Sequence, residues 1–236
     1  MTRLGIVAAL PGEIRALTGK SIPFGTVYRL ADNLLLVWSG VGPQRARAAA
    51  ERLLMHQVTT LLSWGCAAAL DERLTPGSLV VPGSVVASDA TTMAVDPGWQ
   101  ARLHTRLAGR FLLCTGALAE SRTILSTPAQ KHLLAARTHA LAADMESAAL
   151  GILAQEAGVA FGVVRAIADS VNMAVPRMAT RAIDERGQLR PAGLIAGLIL
   201  FPREWRTLVQ LGRGFRTAMA TLTGVAATIL DHPDCA

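Results

Sequence analysis

The chain has 236 residues, 51% apolar and only 17% charged, a balance that supports a sizeable core and excludes intrinsic disorder. Three cysteines (Cys66, Cys114, Cys235) fall in no metal or redox spacing, which excludes a disulfide framework and sets a reducing cytoplasm as the expected compartment. Net charge is +6, and no linker-like stretch divides the chain, so residues 1–236 are expected to form a single domain.

The first apolar run, 4–10, follows Met1-Thr2-Arg3 in the outline of a short signal peptide. It is only seven residues long and leads into Pro11-Gly12-Glu13, so it reads as a β-strand at 3–9 and a turn. Further strands are expected at 25–30, 34–39, 60–65, 78–82, 111–118, 140–143 and 161–168. Most are continuous apolar runs, as in strands covered on both faces. Helices are expected at 44–56, 99–108, 129–137, 146–158, 192–201 and 204–230, the last broken near Gly212-Arg213-Gly214. Pro43 suits the first turn of its helix. Strands and helices alternate to about residue 170 and helices dominate beyond it. The expected fold class is α/β, a three-layer mixed β-sheet flanked by helices with a helical, arginine-rich C-terminal extension over 177–230.

That extension holds much of the charge. Between 177 and 216 eight arginines face three acids (Asp184, Glu185, Glu204), and they surround the apolar run 192–201. At ten residues this run is far short of the roughly 20 that span a bilayer. The region reads as a helical hairpin packed on the core, or as a basic, partly apolar surface that touches anionic lipid or an oily substrate. No aromatic ladder or motif accompanies the charge, which disfavours nucleic-acid binding.

Candidate chemistry lies at strand ends. Pro11-Gly12-Glu13 follows the first strand, Ser39-Gly40-Val41-Gly42 the third, and Trp64-Gly65-Cys66-Ala67-Ala68 the fourth. Small residues such as Gly40 and Ala67 would let a ligand approach backbone N–H groups. The Ser39–Gly42 loop lacks the third glycine of a dinucleotide fingerprint and has no Walker lysine, and it reads equally as a tight strand-to-helix turn. The acids Asp144, Glu146 and Asp169 close two later strands, on the sheet edge where open α/β folds place ligands. Taken alone, Glu13 reads as a solvated first-turn acid and Asp169 as the cap of a short turn. Arg165, inside an apolar strand, requires an acidic partner, with Glu146 or Asp144 the natural candidates. Five histidines (His56, His104, His132, His139, His232) show no metal-ligand spacing.

Several of these segments, in order, resemble the nucleoside phosphorylase/nucleosidase superfamily and its methylthioadenosine/S-adenosylhomocysteine nucleosidase branch. They are Gly5-Ile6-Val7-Ala8-Ala9-Leu10 with Glu13, Ser39-Gly40-Val41-Gly42, Leu74-Thr75-Pro76-Gly77-Ser78-Leu79-Val80-Val81, Asp144-Met145-Glu146-Ser147-Ala148-Ala149, and 163–169. The likeness spans about residues 3–172. The C-terminal region departs from the compact nucleosidase ending and is similar to hopanoid-biosynthesis-associated phosphorylases, which act on adenosylhopane. The resemblance implies a purine/uridine phosphorylase-like fold and cleavage of adenine from a 5′-substituted adenosine, with no metal or redox cofactor. It implies that Asp169 donates to purine N7, that Glu146 binds the ribose hydroxyls with Met145 against the sugar, and that Glu13 orients an attacking water. The backbone near Cys66 and Leu125 would edge the base pocket, and a homodimer is expected.

The acceptor stays open between water and phosphate. Phosphate-using relatives usually carry an arginine before the glycine of the fourth-strand loop, where Trp64 stands here; with Glu13 present, this favours water. Against it, Pro11-Gly12-Glu13-Ile14-Arg15-Ala16 resembles their phosphate loop, which would make Arg15 a phosphate ligand and inorganic phosphate a co-substrate. A triterpenoid 5′ group would need an apolar, open-mouthed channel.

Overall fold

A computed structural model describes residues 2–176, 179, 184, 186–188 and 204–231. The helix expected at 192–201, together with Arg177, Arg181, Arg190 and Arg203, lies outside the described residues. The chain opens with β1 (Leu4–Ala8), α1 (Pro11–Thr18), β2 (Val27–Ala31), β3 (Leu34–Trp38), α2 (Pro43–Leu54) and β4 (Thr60–Ala69). Next come β5 (Leu79–Val80), β6 (Ser84–Val86), β7 (Thr92–Ala94), α3 (Pro97–Leu107), β8 (Leu113–Cys114) and β9 (Ala117–Glu120). The last elements are α4 (Pro128–Thr138), β10 (Ala142–Asp144), α5 (Ser147–Ala157), β11 (Ala160–Asp169) and α6 (Trp205–Asp231).

The eleven strands among the described residues join one mixed sheet. Every residue of β1 and β3 is buried, as continuous apolar strands covered on both faces require. Helices α2 and α5 pack on each other and on the sheet, while α6 packs on β11, α1 and α3. The fold class is the α/β arrangement expected, a mixed sheet flanked by helices with a C-terminal helix.

Several elements differ from the sequence expectation. Pro11-Gly12-Glu13 is the first turn of α1 and not a simple turn; Pro11 sits at N1, where a missing N–H costs nothing. The run 111–118 divides into β8 and β9 around Thr115-Gly116. Strands β6 and β7 are short, with partly exposed residues, and lack the continuous apolar signature. Helix α6 runs unbroken through Gly212-Arg213-Gly214. A Cβ on Gly214 would collide with the Ala168 carbonyl, so that glycine lets the helix approach β11 closely. Below it, Ala218, Leu222, Val225, Ala226 and Ile229 form a stripe no more than 2% exposed, at helical spacing.

One topological feature prepares the site. Along one edge, β4 pairs in parallel with β1 as far as Ala8↔Trp64, then antiparallel with β10 at Ala143↔Ala68 and Ala142↔Ala69. Gly65, Cys66 and Ala67 lie in the gap between those partners. Along the other edge β11 follows β4 from Ala160↔Thr60 to Asp169↔Ala68. The ends of β1, β10 and β11 therefore meet around the gap in β4, at a switch in neighbours where α/β sheets form crevices.

Candidate active site

The gap opens into a cavity of about 860 Å³. Glu13, Glu146 and Asp169 all line it, together with Met145, Cys66, Ala67 and Leu125. Carboxylates from three distant parts of the chain thus share one crevice. Gly40 does not line it; the neighbouring Val41 does. Gly40 and Gly42 have positive φ (80° and 103°), and the turn they make aims the Gly42 N–H at a side chain of the site, not at the open cavity.

Glu13 enters from the first turn of α1, which a two-residue link joins to β1, and is 1% exposed. Its Oε2 accepts from the Ala9 and Leu10 amides, both at 2.9 Å. Its Oε1 accepts from the Cys66 amide at 2.9 Å and the Cys66 thiol at 3.3 Å. Burial and the Glu13 charge push the thiol's pKa well up, so Cys66 stays an S–H donor. The approach is tight: a Cβ on Gly65 would lie 2.5 Å from Glu13 Oε1 and strike the Arg165 guanidinium. Only glycine leaves room there for both groups. Arg15, on the same helix, is exposed at the cavity rim. Two residues apart on a helix, side chains diverge by about 200°, which separates Arg15 from the Glu13 carboxylate.

Glu146 precedes α5 and directs Oε1 to the Gly42 N–H at 2.9 Å. Its Oε2 is 3.9 Å from Arg165. Burial first, and then the charge of Asp144, raise the Glu146 pKa to about 7, with Arg165 and the Gly42 amide opposing the rise. Arg165 pairs most closely with Asp144; its Nη2 also donates to Ser63 Oγ at 2.6 Å and Ser147 Oγ at 3.1 Å. The expectation of an acidic partner holds, and Asp144 is the main one.

Asp169 ends β11 and is 7% exposed. It caps no turn: its Oδ2 accepts from the ammonium of Lys131, a fully buried residue of α4. Burial raises the Asp169 pKa, and Lys131 acts against that rise. The sequence reading assigned Lys131 no role, since a lysine in a helix has the same local signature whether exposed or buried. Leu208, Leu211, Gly212 and Phe215 of α6 also line the cavity, so one of the basic helices expected to form the mouth of an apolar channel does border it. Phe215 packs over Gly12, where a Cβ would come within 2.9 Å of its ring.

Chemically the arrangement offers a buried carboxyl of raised pKa at one side, a second carboxylate fixed by a backbone amide, and a third held by three backbone amides. Residues 3–199 match the family described as the Phosphorylase superfamily. The chain is 25% identical over 201 residues to a 5′-methylthioadenosine/S-adenosylhomocysteine nucleosidase of Buchnera aphidicola subsp. Baizongia pistaciae, covering 71% of this chain and 78% of that protein. Among solved structures it is similar to the Helicobacter pylori 5′-methylthioadenosine/S-adenosylhomocysteine nucleosidase, with a TM-score of 0.74, 17% identity and 98% of each chain covered. Helicobacter pylori futalosine hydrolase gives a TM-score of 0.69 at 18% identity, covering 96% of this chain and 98% of that one. At such identities the solved structures speak to the shared fold. Fold, strand-end acids and a match extending over most of its length agree: the chain belongs to the phosphorylase superfamily.

Proposed function

We propose that the protein cleaves the N-glycosidic bond of a 5′-substituted adenosine, with water as acceptor and an apolar 5′ substituent. The observation that carries this reading is the convergence of Glu13, Glu146 and Asp169 on one cavity. As the C1′–N9 bond breaks, its electron pair leaves with the purine and positive charge builds on the ribosyl ring. Asp169 delivers a proton to N7, making adenine a better leaving group, an effect worth about 10²–10⁴ in rate. Glu146, beside the ring, accepts from the ribose hydroxyls and stabilises the developing cation. Glu13 takes the proton of the water that attacks C1′. Its four lone-pair sites are met by three amides and the Cys66 thiol, and the thiol, a weak donor, is the partner that yields to water.

Two features favour water over phosphate. Holding a phosphate dianion calls for cations or free amides, and Arg15, exposed at the rim, is the basic side chain among the described residues lining the cavity. The Gly42 amide is already committed to Glu146. The cavity lining favours an apolar 5′ group, since Leu10, Ile22, Val175, Leu208, Leu211 and Phe215 belong to it. Adenosylhopane fits that chemistry better than the zwitterionic tail of S-adenosylhomocysteine, and methylthioadenosine is the nearest rival.

The test is adenine release from adenosylhopane, methylthioadenosine and S-adenosylhomocysteine, each in phosphate-free and in phosphate buffer. Free ribosyl product in both buffers is expected, with adenosylhopane preferred. A ribosyl 1-phosphate would overturn the choice of water, and absence of adenine from all three substrates would overturn the function. Within the same reading the protein works as a homodimer at an anionic membrane surface. Among the described residues no helix is long and apolar enough to cross a membrane. Helix α6 exposes Trp205 and Val209 alongside Arg206, Arg213 and Arg216, a composition suited to interfacial contact. Flotation with anionic vesicles no better than that of an unrelated enzyme would remove the membrane part.

A further inference from the structure

Helix α4 is eleven residues long, and its one buried side chain is a lysine. Lys131 is 0% exposed. A buried ammonium is costly unless it is paired and fully hydrogen-bonded, and this one is. It donates to Asp169 Oδ2, to the Ser170 carbonyl at 2.7 Å and to the Met173 carbonyl at 2.9 Å, which uses all three of its N–H bonds. Two neighbouring contacts tie the same segment to α4 and to the loop just before it: His132 Nε2 with Asn172 Oδ1 at 3.3 Å, and the Val175 N–H to the Ser126 carbonyl at 2.9 Å. The ammonium therefore sets both the loop after β11 and the orientation of the carboxyl that ends it.

We propose that Lys131 is the positioning residue of Asp169, holding Oδ2 so that Oδ1 is the oxygen that carries a proton toward the base. This rests on the reading of Asp169 as general acid. A proton on Oδ2 would point into an ammonium that has no lone pair to accept it, so the acid's proton is confined to Oδ1. No hydrogen bond engages Oδ1 among the described residues, leaving it for the ligand. The second consequence concerns acidity. Burial weakens Asp169 as an acid and Lys131 strengthens it, so the ammonium limits how tightly the buried carboxyl holds its proton.

The groups around Asp169 are few. Helix α4 brings Lys131 and, on its exposed side, His132; β4 brings the Cys66 thiol; Glu13 and Glu146 share the cavity. Helix α6 brings Gly214 against Ala168, with Arg213 on its exposed side. Lys131 is the charge in direct contact.

The test titrates the Asp169 carboxyl by ¹³C NMR, assigned through Asp169→Asn, in the full-length wild type, Lys131→Met and Lys131→Arg, alongside kcat–pH profiles with an adenine nucleoside. In Lys131→Met the titration midpoint should rise by about one pH unit or more, and the basic limb of kcat should move up with it. Its kcat at neutral pH should fall at least about tenfold while KM changes less than about threefold, the mark of an interaction used in the transition state. Lys131→Arg keeps the charge but not the three-way geometry, so it should lower kcat with the midpoint in place. An unmoved midpoint in Lys131→Met, or kcat and KM worsening together with no displacement of the limb, overturns the proposal. If Lys131→Met does not fold, wild-type kcat in Lys131→Arg overturns it instead. Absence of adenine release by the wild type at every pH would refute the proposed function, while the titration still decides whether Lys131 governs Asp169.

Discussion

Replacing Arg165 by methionine tests the electrostatic frame of the site. The guanidinium is 2% exposed and pairs with Asp144, whose side chain is 0% exposed; Glu146 lies 3.9 Å away at 9% exposure. Methionine keeps most of the volume and removes the one cation among these acids. Asp144 would then retain only Ser147, through its N–H at 3.3 Å and its hydroxyl at 2.5 Å. Removing one partner of a buried pair typically costs about 3–5 kcal/mol. For a domain of this size, about 2–4 °C of Tm per kcal/mol converts that cost to a fall of about 6–20 °C. The pH dependence carries the mechanism. Arg165 opposes the rise of the Glu146 pKa; without it Glu146 in the folded variant holds more tightly a proton that its unfolded chain releases, and stability falls further as pH increases. The deficit relative to wild type should thus be larger at pH 8 than at pH 5.5 in melts followed by circular dichroism. A Tm drop under about 2 °C, or an equal drop at both pH values, would refute the reasoning.

Two further perturbations probe the individual acids. Asp169→Asn should lower kcat by about 10²–10⁴; it should also lower Tm, because Lys131 is left buried without a counter-charge, and an unchanged Tm would contradict that pairing. Glu146 has a folded pKa near 7, well above the ordinary glutamate value, so its contribution favours the folded state at acid pH and is lost as pH rises through 7. Glu146→Gln should therefore match wild type in Tm at pH 5 and exceed it at pH 8, while kcat/KM collapses. In the wild type, kcat/KM should decline below about pH 7, as Glu146 protonates and stops accepting from both ribose hydroxyls. A Glu146→Gln melt no higher than wild type at pH 8 would count against the raised pKa.

What the sequence determined by itself is what local pattern encodes. The runs that became β1, β3, β4 and β11 are continuous and apolar, and such segments are buried on both faces whatever they pack against. Glu13 follows β1 and Asp169 ends β11, and both strands run parallel to β4, so chain direction places these two acids at one end of the sheet. Glu146 follows β10, which runs antiparallel to β4, and joins them only through that pairing. Arg165 within β11 demanded an acid because an unpaired buried cation is too costly to keep. The family likeness rests on those same segments. Other features exist only through contacts between elements distant in sequence. Pro11-Gly12 carries turn signals yet starts α1, because Glu13 reaches back to the Ala9 and Leu10 amides. Gly212 and Gly214 read as a break in α6, yet the helix continues, since Gly214 is where it meets the Ala168 carbonyl. Lys131 and Asp169 are 38 residues apart, and nothing within α4 distinguishes that lysine from a solvated one. Periodicity reports which face of an element is apolar; only the packed fold decides which charge meets which, and here that meeting is what fixes the proposed acid.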